Sequence, residues 1–244
     1  MSTTVETAAV PGYKPEVLPI YGCATHCELF PQICWLMTGR GDRLRQMLSK
    51  NCNCEDCLGM KPHVHWERFD KADRMCKPRV FSGHMGEIAD LSGEEIEIIQ
   101  ARIRRNPKHL YQPLTHRPMD FYSKYPIWPK SVWCMGTFTQ GEIAFPAELE
   151  CGMRVAYVEP MLGECYFIDS ILSPREYTQW LVIGLLNHAR YAKLGISLEQ
   201  LAGWIKPLMS DAHALGIPIF MKSKDDARWS QMGIKVIQEW PIYP

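Results

Sequence analysis

Cys23, Cys27 and Cys34 stand in "YGCATHCELFPQICW" with spacing C-x3-C-x6-C, and Cys52, Cys54 and Cys57 follow in "NCNCEDC" with spacing C-x-C-x2-C. Cys76, His63 or His65 is near enough in sequence to close a four-ligand set around the second triplet. Thiolates are soft ligands for zinc and for iron–sulfur clusters. A structural zinc is normally closed by four protein ligands, whereas three thiolates on a cluster leave one iron open to a substrate or cofactor. The first triplet therefore reads as an open cluster, against a zinc site completed by His26 or unliganded thiols. For the second triplet three readings stand side by side: a structural zinc knot holding an inserted loop, an auxiliary iron–sulfur cluster, or another home for the open cluster. Cys134, Cys151 and Cys165 are isolated in sequence and read as small apolar packing residues. A thiol redox protein fits poorly, because no C-x-x-C pair opens an expected helix and Cys54–Cys57 falls in an expected loop.

The elements that must position these thiols can be read from the rest of the chain. Its 244 residues suit one large domain or two small ones. Lysine plus arginine equals aspartate plus glutamate at 27 each, so no net charge steers the protein toward nucleic acid or membrane. No apolar stretch approaches the ~20 residues that span a bilayer. The N-terminus lacks the basic and apolar regions of a signal peptide, so a cytoplasmic location is expected, where clustered cysteines favour metal over disulfides.

Residues 1–16 read as a flexible polar arm, and residues 17–244 as one domain carrying a Cys-rich insertion at about 50–77. Strands are expected at 17–22, 79–85, 109–115, 131–139, 154–161, 180–186 and 217–223. Helices are expected at 34–49, 92–105 and 197–216, with Ser92 as an N-cap and a kink at Pro207. Alternating strands and helices predict a parallel α/β fold, since parallel neighbours need crossover connections. Glu87, Thr115, Thr139, Glu159, Asn187 and Lys222 recur at strand C-ends, the end that faces the active site in a barrel, although any one of them is equally explained by a strand end meeting solvent.

The first cysteine loop resembles that of the radical S-adenosylmethionine (SAM) superfamily, whose usual pattern is C-x3-C-x2-C after the first barrel strand. From about residue 20 onward the chain is similar to a phage-associated family of radical-SAM-like barrels of largely unassigned activity. The resemblance rests on "YGC", "PHVHWERFDKADRMCKPRVFSGHMGEIADL", "HLYQPLTHRP", "WPKSVWCMGTFTQ", "RVAYVEPMLGE", "WLVIGLL" and "GIPIFMK", in that order. It implies a partial or near-complete parallel (β/α) barrel with a [4Fe–4S] cluster on Cys23, Cys27 and Cys34. SAM would sit on the open iron, and its reductive cleavage would give a 5′-deoxyadenosyl radical, with electrons from a donor such as a flavodoxin or ferredoxin. "GHMGE" would place Gly86 and Glu87 at the methionine ammonium, and Thr137 and Thr139 would meet the ribose hydroxyls. "LTHRP" makes Thr115 and Arg117 partners of the SAM carboxylate or the substrate, and Glu159 would face the substrate end. A phage setting would put the protein in the host cytoplasm.

The chain departs from that pattern at several points. The second cysteine gap is six residues rather than two, Ile33 replaces the usual aromatic, His116 replaces a lysine, and "VIGLLNH" lacks the glycine–glycine–glutamate ending. The basic segments 40–50 and 101–109 read equally as phosphate contacts or as solvated helix faces, and the phage setting that the resemblance implies makes a nucleotide or DNA base the expected substrate. The altered spacing also admits a non-catalytic, zinc- or cluster-stapled protein that binds nucleic acid or a protein partner.

Overall fold

Proline placement sets the turn that follows the first described strand. Leu18 still donates its N–H to Ser82 O at 2.9 Å, but Pro19 follows, and Ile20 N–H closes back on Leu18 O at 2.7 Å. What reads in sequence as one strand at 17–22 is therefore two. β1 (Lys14–Val17) runs parallel to β4 (Arg79–Ser82), and β2 (Ile20–Tyr21) runs antiparallel to β3 (His63–Val64). The strand also begins inside the expected flexible arm. Pro15 is tolerated there because β1 ends its sheet, where one N–H side needs no ladder partner.

The computed structural model describes residues 14–22, 54–59, 61–83, 86–167, 178–186, 188–222 and 227–241. The expected helix at 34–49 and the strand-end residue Asn187 lie outside them. The chain divides into two compact units, one spanning Tyr13–Leu114 and the other beginning at Thr115.

The first unit holds the parallel sheet β1-β4-β5, with β5 at Leu110–Gln112, and the β2–β3 pair. Its helices are α1 (Glu55–Gly59), α2 (Trp66–Arg74) and α3 (Gly93–Arg105). The capping signal in "SGEE" is fulfilled: Ser92 Oγ accepts from Glu95 N–H at 3.3 Å, and the Glu95 carboxylate accepts from Ser92 N–H at 2.8 Å. Ile96, Ile99 and Ile103 are buried, as the spacing of three and four requires of a core-facing helix.

The second unit is built on the five-stranded, mostly parallel sheet β12-β11-β9-β7-β6. Its strands are β6 (Leu114–Thr115), β7 (Trp133–Thr137), β9 (Met153–Val158), β11 (Trp180–Ile183) and β12 (Ile219–Met221). β11 is buried at every position, in keeping with a parallel strand covered on both faces. A short parallel pair, β8 (Gly141–Ile143) with β10 (Cys165–Phe167), has no counterpart in the expected strands. Helices α4 (Pro118–Lys124), α5 (His188–Lys193), α6 (Leu198–Ala214) and α7 (Ala227–Gln231) complete the unit. α6 continues through Pro207, held on both sides of it by buried Leu201, Ile205, Leu208 and Ala212.

The α/β class and the dominance of parallel pairing stand. No sheet closes on itself among the described residues: β1, β5, β6 and β12 each end a ladder, whereas a barrel requires every strand to be paired on both sides. No helix among them is long and apolar enough to cross a membrane.

Candidate metal centre

Four donors converge in the first unit. Cys54 precedes α1, Cys57 lies within it, His63 opens β3 and His65 precedes α2. Their ligand atoms all fall within 4.8 Å of one another, so Cys54, Cys57, His63 and His65 can hold a metal ion. Cys57 Sγ is 3.0 Å from His65 Nε2 and 3.2 Å from His63 Nε2, and Cys54 Sγ is 3.7 Å from His63 Nε2. The two Nε2 atoms are 3.1 Å apart.

Hydrogen bonds on the far side of each ring fix what those nitrogens offer. His63 Nδ1 lies 2.7 Å from Lys61 O, and a carbonyl only accepts, so Nδ1 carries the proton. His65 Nδ1 donates likewise to Glu67 Oε1 at 2.7 Å. In the neutral rings both Nε2 atoms then present lone pairs toward each other and toward two sulfurs. Such a set suits a cation bound in place of the thiol protons, and the outward hydrogen bonds are those that orient metal-bound imidazoles. Burial lowers the His65 pKa, against the raising effect of the Glu67 hydrogen bond, so the ring favours the neutral form a metal needs. Tyr21 backs the site, with its ring 6.0 Å from that of His63 and 5.0 Å from that of His65, and Arg68 hydrogen-bonds its hydroxyl.

The structure thus takes both histidines where the sequence offered either one, and it takes Cys57 from a helix rather than a loop. Cys76 stands apart. It is exposed, with Sγ 3.9 Å from Arg74 O, because α2 and its end carry it away from the donor group. Cys23, Cys27, Cys34 and Cys52 lie outside the described residues.

Gly86 and Glu87 approach the same strand end. Gly22 forms a parallel bridge to Gly86, and Glu87 N–H donates to Gly22 O at 3.1 Å. A Cβ on Gly86 would lie 2.9 Å from the Tyr21 backbone, so the close approach requires glycine. The Glu87 carboxylate is buried and accepts from Ala89 N–H at 3.0 Å, capping the 3-10 turn Ile88–Asp90.

The remaining expected site residues belong to the second unit. Thr115 is buried, and its Oγ1 accepts from Arg117 N–H at 3.0 Å, where Arg117 precedes α4. Thr137 is buried in β7, and its Oγ1 has no hydrogen-bond partner among the described residues. Thr139 follows β7 half-buried, and its carbonyl accepts from Leu162 N–H at 2.7 Å. Glu159 follows β9 and pairs with Lys222, which follows β12, at 2.7 Å. The sequence marked Lys222 as a polar strand end but gave no sign of this pairing across 63 residues. Cys134 and Cys151, isolated in sequence, are neighbours in space: the Cys151 thiol is held low first by its hydrogen bond to Cys134, and burial pushes Cys134 up.

No family model, no curated protein and no solved structure matches this chain. What the fold and the donor group define is a mixed α/β protein with a thiol–imidazole group able to hold a metal ion.

Proposed function

We propose that this protein is a radical SAM enzyme of partial-barrel type, with its catalytic cluster on Cys23, Cys27 and Cys34 and a nucleotide or DNA base as substrate. One observation carries the reading. Gly22, which precedes Cys23 in sequence, is bridged to Gly86 and accepts the Glu87 N–H, so it lies beside the residues that the resemblance gives to the SAM ammonium. When bound, the cluster and SAM supply a 5′-deoxyadenosyl radical. The chain's own part is to orient and enclose. Gly86 permits close backbone approach, and Thr137 offers a buried hydroxyl for a ribose. Glu159 and Lys222 place an acceptor and a donor at the ends of β9 and β12, on either side of β11, and α/β sheets bind ligands at strand ends.

The test is anaerobic purification with iron, sulfide and SAM-cleavage measurements, using reduced flavodoxin or ferredoxin as electron donor. About four irons per chain, lost in a Cys23→Ala/Cys27→Ala/Cys34→Ala variant, together with 5′-deoxyadenosine formation by the wild type, is the expected result. Absence of both iron and SAM cleavage overturns it.

A second reading, a non-catalytic metal-stapled protein that binds nucleic acid or a protein partner, is favoured by the closed character of the described donor set. Four protein donors leave a metal no open position for chemistry. Zinc without SAM binding is the result that would prefer it.

A further inference from the structure

The geometry points to a closed, four-coordinate zinc site on Cys54, Cys57, His63 and His65, separate from any cluster on the first cysteine loop and structural in purpose. Distances decide the number of metals. With Zn–N near 2.0–2.1 Å and Zn–S near 2.3 Å, a tetrahedron places N···N at about 3.3 Å and N···S at about 3.5 Å. Four of the six donor pairs lie at 3.1 Å for the nitrogens and 3.0, 3.2 and 3.7 Å for nitrogen and sulfur, close to those edges before any ion draws them to a centre, and the other two lie within 4.8 Å. A two-iron cluster with two cysteines and two histidines keeps its thiolates on one iron and its imidazoles on the other. Cys57 Sγ instead lies within 3.2 Å of both imidazole nitrogens, so thiolate and imidazoles share one ion. A four-iron cluster wants three or four thiolates, and among the described residues the set contains two.

Ligand type then selects the metal. Two thiolates and two imidazoles in a tetrahedral set suit zinc, while calcium and magnesium want oxygen. Binding replaces the two thiol protons with the ion and releases them to solvent.

The site has a mechanical consequence within its unit. The β2–β3 ladder is two residues long, Ile20 opposite Val64 and Tyr21 opposite His63, too short to persist alone. A metal that joins His63 to α1 holds β3 in register, and through it the strand end that leads into Cys23. The zinc thereby steadies β2 without taking part in any chemistry on Cys23, Cys27 and Cys34.

Zinc content of the purified full chain tests this. One zinc per chain is expected in the wild type, in Cys76→Ala and in Cys23→Ala/Cys27→Ala/Cys34→Ala, with loss of the metal in Cys57→Ala and in His63→Ala/His65→Ala. Because the last two variants can also lose their local fold, cobalt(II) is exchanged into the wild type as a second readout. Tetrahedral ligand-field bands with thiolate-to-cobalt charge transfer are expected. Iron and acid-labile sulfide that follow Cys57, zinc that survives the double histidine change, or a cobalt spectrum without thiolate charge transfer would each overturn the site. None of these bears on SAM cleavage, so the zinc site and the radical reading fail separately.

Discussion

Lys222 Nζ and Glu159 Oε2 meet at 2.7 Å with side chains only 12% and 26% exposed, which puts them between a surface ion pair and a buried one. The Tyr157 ring lies 5.0 Å from Lys222 Nζ. Burial and then the Glu159 carboxylate hold the Tyr157 phenol well above its ordinary range, so it stays protonated. Replacing Lys222 with Met leaves the carboxylate without its cation. Chemical denaturation should show a loss of about 1–3 kcal/mol, between the cost of an exposed pair and that of a fully buried one. His109 supplies a second residue-scale expectation. It is 1% exposed, with Nε2 donating to Ala72 O at 3.2 Å, and burial lowers its pKa. A histidine lowered in the folded state binds its proton more readily when unfolded, so its contribution is intact above about pH 6.5 and is lost as pH falls toward the folded value. His109→Gln should flatten the decline of unfolding free energy between pH 7 and 5, by at most about 1.4 kcal/mol per pH unit. An unchanged slope would remove His109 as its source.

Elements are tied together by contacts that no single segment contains. Gly184 follows β11, between the strands that end in Glu159 and Lys222, and its N–H donates to Val158 O at 3.0 Å. A Cβ at this position would overlap the Glu159 carboxylate. Gly184→Ala should therefore push Glu159 off Lys222 and cost roughly what Lys222→Met costs, since both break the same pair. The double variant should lose clearly less than the sum, a coupling of about 0.5–3 kcal/mol as found for residues sharing one network. Strict additivity would mean that the glycine serves only backbone packing. The same scale explains where element boundaries departed from the sequence pattern. Pro113 separates β5 from β6, and Pro19 separates β1 from β2, because a residue without an N–H cannot donate to a ladder and is tolerated only where, as at Pro15, its nitrogen needs no partner. Both prolines are plain in the sequence, but which neighbouring strand takes the residues after them is a matter of partners.

At the scale of the whole molecule, the metal site concerns one unit and the Glu159–Lys222 pair the other. Treatment with a strong zinc chelator should raise amide hydrogen exchange at Ile20, Tyr21, Val64 and His65, whose strand pairing depends on the β3 register. Exchange in β9 and β11, which lie inside a ladder of buried parallel strands, should stay slow. Equal acceleration in both would show that the metal supports more than its own unit.

Local pattern determined much of this protein before any tertiary contact was known. The capping box at Ser92, the spacing of buried isoleucines in α3, the unbroken apolar run of β11 and the alternation that yields parallel strands are all carried by neighbours in sequence. The residue types that hold metal were legible for the same reason, since thiol and imidazole chemistry belongs to the side chain itself. Only the tertiary structure decided which of them converge. A ligand set is a relation in space: Cys76 satisfied the spacing and stands apart, whereas both histidines enter, because a period of two puts His63 and His65 on one side of the chain after the turn from α1. The ends of β9 and β12 likewise meet through β11, an arrangement set by sheet order, which the identity of Glu159 and Lys222 does not reveal.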